Sequence, residues 1–123
     1  MARILLAEDD DSLRGFLARA LERAGFEVTA CADGEEAVQH LDTNWDLLLT
    51  DIQMPIMDGI ALALSAARDF PDLTILLMTG FAHQRERASN LSAIAHDVIT
   101  KPFSVADIRT AVADALASKA AKT

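Results

Sequence analysis

The chain reads as an α/β protein with five parallel strands in one doubly wound sheet, order 2-1-3-4-5, wrapped by five helices. Three observations carry this reading. Short apolar runs alternate with stretches of helical periodicity along the whole chain, the pattern of a parallel sheet covered by helices. The runs Ile4–Ala7, Leu47–Leu49 and Leu73–Met78 are dense in apolar residues without strict alternation, as strands buried on both faces require. Each run then meets a polar residue, Glu8, Thr50 or Thr79. Right-handed crossovers between successive strands give the stated order most simply.

Arg3 to Ala7 forms the first strand. Asp11 or Ser12 is expected to cap a helix with Leu13, Phe16, Leu17, Ala20, Leu21 and Ala24 on its apolar face, and Gly25 ends it. Phe26 to Cys31 is a second, partly alternating strand. Asp33-Gly34 turns the chain into a short helix carrying Ala37, Val38 and Leu41. The third strand runs from Leu47 into Thr50 and Asp51, with Trp45 before it expected to cover the sheet edge. Met54-Pro55 signals a turn, and Gly59 begins a third helix through Ile60, Leu62, Ala63 and Ala66-Ala67 that stops near Pro71. Leu73 to Met78 is the fourth strand, ending in Thr79-Gly80. Residues 82–93 read as a polar helix with little apolar face, the least firmly packed element. Val98 to Thr100 is a short fifth strand, closed by Lys101-Pro102-Phe103. Ser104 caps a last helix with Val105, Ile108, Ala111, Val112, Ala115 and Leu116 inward, and the chain frays from Ser118. One domain, 1–118, with a short tail, 119–123, is therefore expected.

Composition limits what such a domain does. The chain has 123 residues, enough to bury a core without disulfides or structural metal. Hydrophobic residues make up 51% and charged residues 24%, which excludes disorder, and no apolar stretch is long enough to span a membrane. Acids at Glu8 to Asp11 exclude a signal-peptide apolar region, so a soluble cytoplasmic protein is expected. Cys31, the only cysteine, closes no internal disulfide and lies in the apolar series Phe26, Val28, Ala30, as a buried spacer thiol would. A net charge of −8 argues against a nucleic-acid partner held through phosphates. It suits a domain that gathers acids around a cation.

In a doubly wound sheet the carboxyl ends of the strands form the binding rim. The ends of strands one, three, four and five deliver Glu8, Asp9, Asp51, Thr79 and Lys101 to it. Clustered carboxylates repel one another unless a cation sits among them, and an all-oxygen set is what Mg²⁺ prefers. A carboxylate is also a nucleophile toward phosphorus, and Asp51 is placed for that role. A transferring phosphoryl group is negatively charged, so the Lys101 ammonium, the Thr79 hydroxyl and a metal ion would each stabilise it from a different side. His40, His83 and His96 show no metal-ligand spacing among themselves and read as surface or capping residues. Of Asp10 and Asp11, one reads as a solvated neighbour and the other as a helix cap. Met54, Met57 and Phe81 flank the pocket as walls or partner contacts.

Glu8-Asp9, Asp51 with Met54-Pro55 and Asp58-Gly59, Thr79-Gly80 and Lys101-Pro102-Phe103 resemble, in order and spacing, the motif set of the receiver domain of two-component response regulators, a flavodoxin-like fold. The resemblance covers the whole chain. It implies that Asp51 is the phosphoacceptor, Asp9 a direct Mg²⁺ ligand, Glu8 a second acid acting through a metal-bound water, and the Gln53 backbone carbonyl a further ligand. Thr79 and Lys101 would then bind the phosphoryl group and report it to the face built from the 82–93 helix, the fifth strand and the last helix. It also allows a cis bond before Pro102. The segments 1–12, 19–26 and 48–51 look closest to single-domain alphaproteobacterial regulators of the CpdR type, which implies an unaccompanied receiver without an effector domain. Two positions depart from the family pattern. Val98 stands where a Tyr or Phe usually precedes the lysine by three residues, and Ile94-Ala95 replaces a common Gly-Ala.

The function expected from this resemblance is signalling. A histidine kinase or histidine phosphotransfer protein would donate to Asp51, and the altered surface would control a partner, which for the CpdR type is the ClpX unfoldase of the ClpXP protease in cell-cycle control. The alternatives are a phosphate sink or shuttle, a motility regulator at the flagellar switch, and an aspartyl-phosphate phosphatase. A phosphatase of that kind wants an acid two residues after its nucleophile, where this chain has Gln53. The protein is therefore not read as an enzyme.

Overall fold

The computed structural model describes residues 2–80, 93–101 and 103–121. Five parallel strands form one sheet: β1 Arg3–Ala7, β2 Glu27–Cys31, β3 Leu47–Asp51, β4 Thr74–Thr79 and β5 Asp97–Thr100. Their order is β2-β1-β3-β4-β5, as expected. Four helices lie among the described residues: α1 Asp11–Arg23, α2 Gly34–His40, α3 Gly59–Asp69 and α4 Val105–Ala121. The helix predicted over 82–93 falls, but for its last residue, outside the described residues, as do Phe81, His83 and Pro102 with the bond before it.

The apolar runs divide between the two faces of the sheet because successive strand side chains point in opposite directions. Leu5, Leu48, Ile75 and Leu77 enter a core beneath α2 and α3. Ile4, Leu6, Leu47, Leu49, Leu76 and Met78 enter a second core with Leu17, Leu21, Ile108 and Val112 of α1 and α4. All five residues of β3 are buried, which is why Leu47, Leu48 and Leu49 are apolar in succession.

Local chemistry sets the helix ends. Asp10, not Asp11 or Ser12, caps α1, its carboxylate accepting from Leu13 N at 2.9 Å. Asp11 falls in the first turn and pairs with Arg14. Gly25 ends the helix with φ +98°, a left-handed conformation that costs glycine little. Asp33 and Asp58 cap α2 and α3 through bonds to Glu36 N and Ala61 N, both 2.8 Å. Ser104 and Asp107 exchange bonds of 3.0 Å at the start of α4, a capping box with aspartate as its acid.

Other expectations need correction. Phe16 and Val105 are each 37% exposed, so neither is fully inward as the apolar stripes predict. Trp45 covers no edge: it leads into the central strand, buried at 6% exposure, its indole N–H donating to the His40 carbonyl at 2.7 Å with the Arg3 guanidinium over its ring. The last helix runs past Ser118 to Ala121, carried by strong helix formers such as Ala and Lys.

Candidate phosphoryl and metal site

The site begins with the ends of β1 and β3. Glu8 follows β1 and is 1% exposed. Its backbone N–H donates to the Cys31 carbonyl at the end of β2, 3.1 Å, and its own carbonyl accepts from Arg14 Nη1 at 3.0 Å. Asp51 closes β3 at 6% exposure, beside the tight connection to α3. Glu8, Asp9 and Asp51 offer carboxylate oxygens that all lie within 4.8 Å of one another, Asp9 exposed and the other two buried.

Lys101 enters the same pocket from the end of β5. Its Nζ lies 3.1 Å from Glu8 Oε1 and 3.1 Å from Asp51 Oδ1, bridging two acids 93 and 50 residues away in sequence. The second oxygen of Glu8 accepts from Asp10 N at 3.1 Å. Thr79, fully buried at the end of β4, stands one position beyond the residue paired with Asp51. Gln53, exposed, lies two residues past Asp51 on the same rim. Distances thus join Glu8, Asp9, Asp51 and Lys101, while Thr79 and Gln53 reach the rim through their place in the chain.

The electrostatics follow from burial. Burial raises the pKa of the Asp51 carboxyl and Asp9 adds to it, with the Lys101 charge opposing. Burial raises Glu8 as well, and the Asp51 charge adds to it, although the Asp10 N–H and Lys101 pull the other way. Burial alone would lower Lys101, but the Asp51 and Glu8 carboxylates outweigh it and hold the ammonium above its ordinary range. One ammonium thus faces three carboxylates, a set short of positive charge. An all-oxygen donor group with such a deficit fits a hard divalent cation such as Mg²⁺.

The loop after Asp51 holds a feature that sequence reasoning missed. Ile56, 75% exposed, has φ +70°, and Met57 N donates to the Pro55 carbonyl across it at 2.8 Å. This is the rare γ-turn, strained for a β-branched residue. The turn brings the chain back so that Gly59 N meets the Ile52 carbonyl at 2.8 Å and α3 starts beside the pocket. Pro55 is the only local hint of it in sequence. Met54, 8% exposed, belongs to the α2–α3 core, its sulfur 4.0 Å from Thr50 Oγ1, and Met57 packs partly buried on the same core.

A second group also comes together unforeseen. Cys31, Glu36 and His40 present donor atoms all within 4.8 Å of one another. The relevant spacing was between residue types, with Glu36 and His40 four apart on one helix and Cys31 just ahead of them, rather than among the histidines.

An open parallel sheet of this order, with acids and a lysine converging at its carboxyl rim, defines a class of phosphoryl-accepting signalling domains, and the profile of the response regulator receiver domain matches residues 4–113. The chain belongs to this family. It is 46% identical over 109 residues to the response regulator receiver protein CpdR of Brucella abortus, covering 88% of this chain and 91% of that protein. The transcriptional regulatory protein CpxR of Escherichia coli is 38% identical over 103 residues, and the chain spans 44% of its length and 35% of that of the transcriptional activator PfeR of Pseudomonas aeruginosa. Among solved structures, a receiver domain protein of Methanospirillum hungatei superposes with a TM-score of 0.92 at 27% identity, over the whole of this chain and 99% of its own. The response regulator TrrA of Thermotoga maritima, in complex with Mg²⁺–BeF, superposes at 0.85 with 29% identity, covering 94% of this chain and 99% of its own. No described helix is long and apolar enough to cross a membrane.

Proposed function

We propose that Asp51 is the phosphoacceptor of a phosphorelay and that the receiver surface itself, switched by this event, controls a partner protein in the cytoplasm. The observation that carries the proposal is the buried Asp51 carboxylate held 3.1 Å from Lys101 within a cluster of acids. A carboxylate oxygen of Asp51 attacks the phosphorus of a phosphohistidine on a histidine kinase or phosphotransfer protein. An O–P bond forms, the N–P bond breaks, and the imidazole leaves with its electron pair. The product is an acyl phosphate. Lys101 turns from the free carboxylate to the phosphoryl oxygens, and the Thr79 hydroxyl donates to another of them.

Asp9, Asp51 and the Gln53 carbonyl would hold Mg²⁺ directly, and Glu8, already engaged by Lys101 and Asp10 N, would act through a bound water. When bound, Mg²⁺ neutralises charge on the transferring group. With Gln53 where a phosphatase would want its general acid, any loss of the phosphoryl group from Asp51 serves as a timer and not as turnover of a metabolite.

The 46% identity to CpdR supports a role like that of the CpdR type, in which the unphosphorylated form acts as an adaptor that primes the ClpXP protease through ClpX for cell-cycle substrates. Val98, part-buried against the α2–α3 core where the family usually has a swinging aromatic, supports a specialised output face.

Incubation with Mg²⁺ and acetyl phosphate tests the core of the proposal. Intact mass should show one phosphoryl adduct on wild type, dependent on Mg²⁺ and absent from Asp51→Asn; an equal adduct on the variant would remove Asp51 from the role. For the output, Asp51→Ala should retain ClpX in a pull-down, whereas a phosphate sink retains no partner.

A further inference from the structure

Cys31, Glu36 and His40 lie outside the acidic pocket and take no part in the chemistry above. Cys31 ends β2, while Glu36 and His40 stand one turn apart on α2, which puts them on one face of that helix. Their sulfur, oxygen and nitrogen donors already lie within 4.8 Å of one another. The N–H of Ala32 donates to Glu36 Oε2 at 3.1 Å and fixes the orientation of that carboxylate toward the strand end. The His40 carbonyl is bonded by the Trp45 indole, which anchors the backbone that carries the imidazole.

We propose that Cys31, Glu36 and His40 form a second metal site, selective for a borderline divalent ion of the Zn²⁺ class. Tetrahedral ligands at Zn²⁺ bond lengths lie about 3.3–3.8 Å apart, so the three donors close onto the ion by side-chain rotation, most easily that of the exposed His40. Water completes the fourth position. The donor set separates the two sites chemically: oxygens alone at the acidic pocket suit Mg²⁺, whereas thiolate, imidazole and one carboxylate suit Zn²⁺.

The thiol needs the metal to ionise. Burial, with Glu36 and Asp33 adding to it and Arg14 opposing, pushes the Cys31 thiol up to about 11, so the metal-free chain keeps it protonated. Binding then moves the thiol proton to the buffer while the sulfur's electron pair goes to the ion, one proton released for each ion bound. The bound ion clamps the edge strand β2 to α2, adding to the hold that the Asp33 cap and the buried Ala37 already give this seven-residue helix.

Co²⁺, a spectroscopic substitute for Zn²⁺, tests this on the purified chain. Titration should give a thiolate-to-cobalt charge-transfer band that saturates at one ion per chain, with one proton released and with Zn²⁺ displacing it. Cys31→Ser should abolish the band. His40→Ala, at an exposed helix end, should weaken binding at least about tenfold, and Asp9→Ala, which disables only the acidic pocket, should leave the band unchanged. Absence of the band in wild type, or equal affinity in folded His40→Ala, would overturn the proposal. Should Cys31→Ser fail to fold, the His40→Ala comparison decides alone.

Discussion

Asp51 shows how a reactive carboxylate is kept poised. Its ordinary pKa of 3.8 applies to the unfolded chain, and in the fold it lies higher, chiefly through burial. The native state therefore holds the proton more readily, and the ionised carboxylate weakens the fold above its folded pKa. That penalty fades as pH falls through both values. Asp51→Asn removes the charge but keeps the shape. In the absence of divalent metal it should raise the melting temperature at pH 7 by roughly 3 °C, with the gain shrinking as pH falls toward 3.8. Thermal denaturation in EDTA across that range checks it, and a lower melting temperature for the variant at pH 7 would contradict it. Lys101 has the opposite sign: its pKa is raised above 10.5, so its contribution is complete below that value and is lost only as pH rises past the folded pKa.

The connection from β3 to α3 decides where Asp51 points. A Cβ at Gly59 would stand 2.0 Å from the Asp51 carbonyl and 2.9 Å from Ile52 Cα, backbone atoms that have no rotamer by which to give way. Gly59→Ala should therefore cost about 3 kcal/mol and displace the acceptor. Asp58→Ala, which removes the cap on Ala61 N, should cost about 1 kcal/mol and leave phosphorylation by acetyl phosphate nearly unchanged. Urea midpoints and single-turnover labelling of the two variants separate a packing clash from a lost cap. Equal losses in both would mean that the close approach at Gly59 is unimportant. The strained turn at Ile56 belongs to the same connection, because the chain must reverse within a few residues to set Asp58 at the start of α3.

For the molecule as a whole, the sheet is buried on both faces, and the acidic pocket exists only when β1, β3 and β5 are assembled in one sheet, with β4 between the last two. Metal binding at that rim is therefore linked to global folding. Mg²⁺ at about 100 times its dissociation constant should stabilise the chain by about 2.7 kcal/mol, and EDTA should reverse the gain. Asp9→Ala should flatten this dependence, since the exposed member of the triad is also the one least engaged by Lys101. Calorimetry over a Mg²⁺ series reads both slopes, and an unchanged slope for the variant would place the ion elsewhere.

Sheet order and the rim acids were legible in the sequence because periodicity and strand-end position are local properties. Leu47, Leu48 and Leu49 announce a strand covered on both faces, and Asp51 at its end announces the rim. The cap of α1 stayed open among Asp10, Asp11 and Ser12, since neighbouring polar residues of this kind all make good caps and only backbone geometry selects Asp10. Trp45 looked like an edge cover because its burial depends on Arg3 and the His40 carbonyl, neither of which marks it in sequence. The positive φ of Ile56 defies the residue's own preference and is imposed by the surrounding fold. Convergence of Cys31, Glu36 and His40 likewise depends on how α2 packs against the end of β2. Which residues can bond, bury or ionise is written in the chain one side chain at a time; which of them meet is settled by packing, because distance in space is not encoded by any single residue.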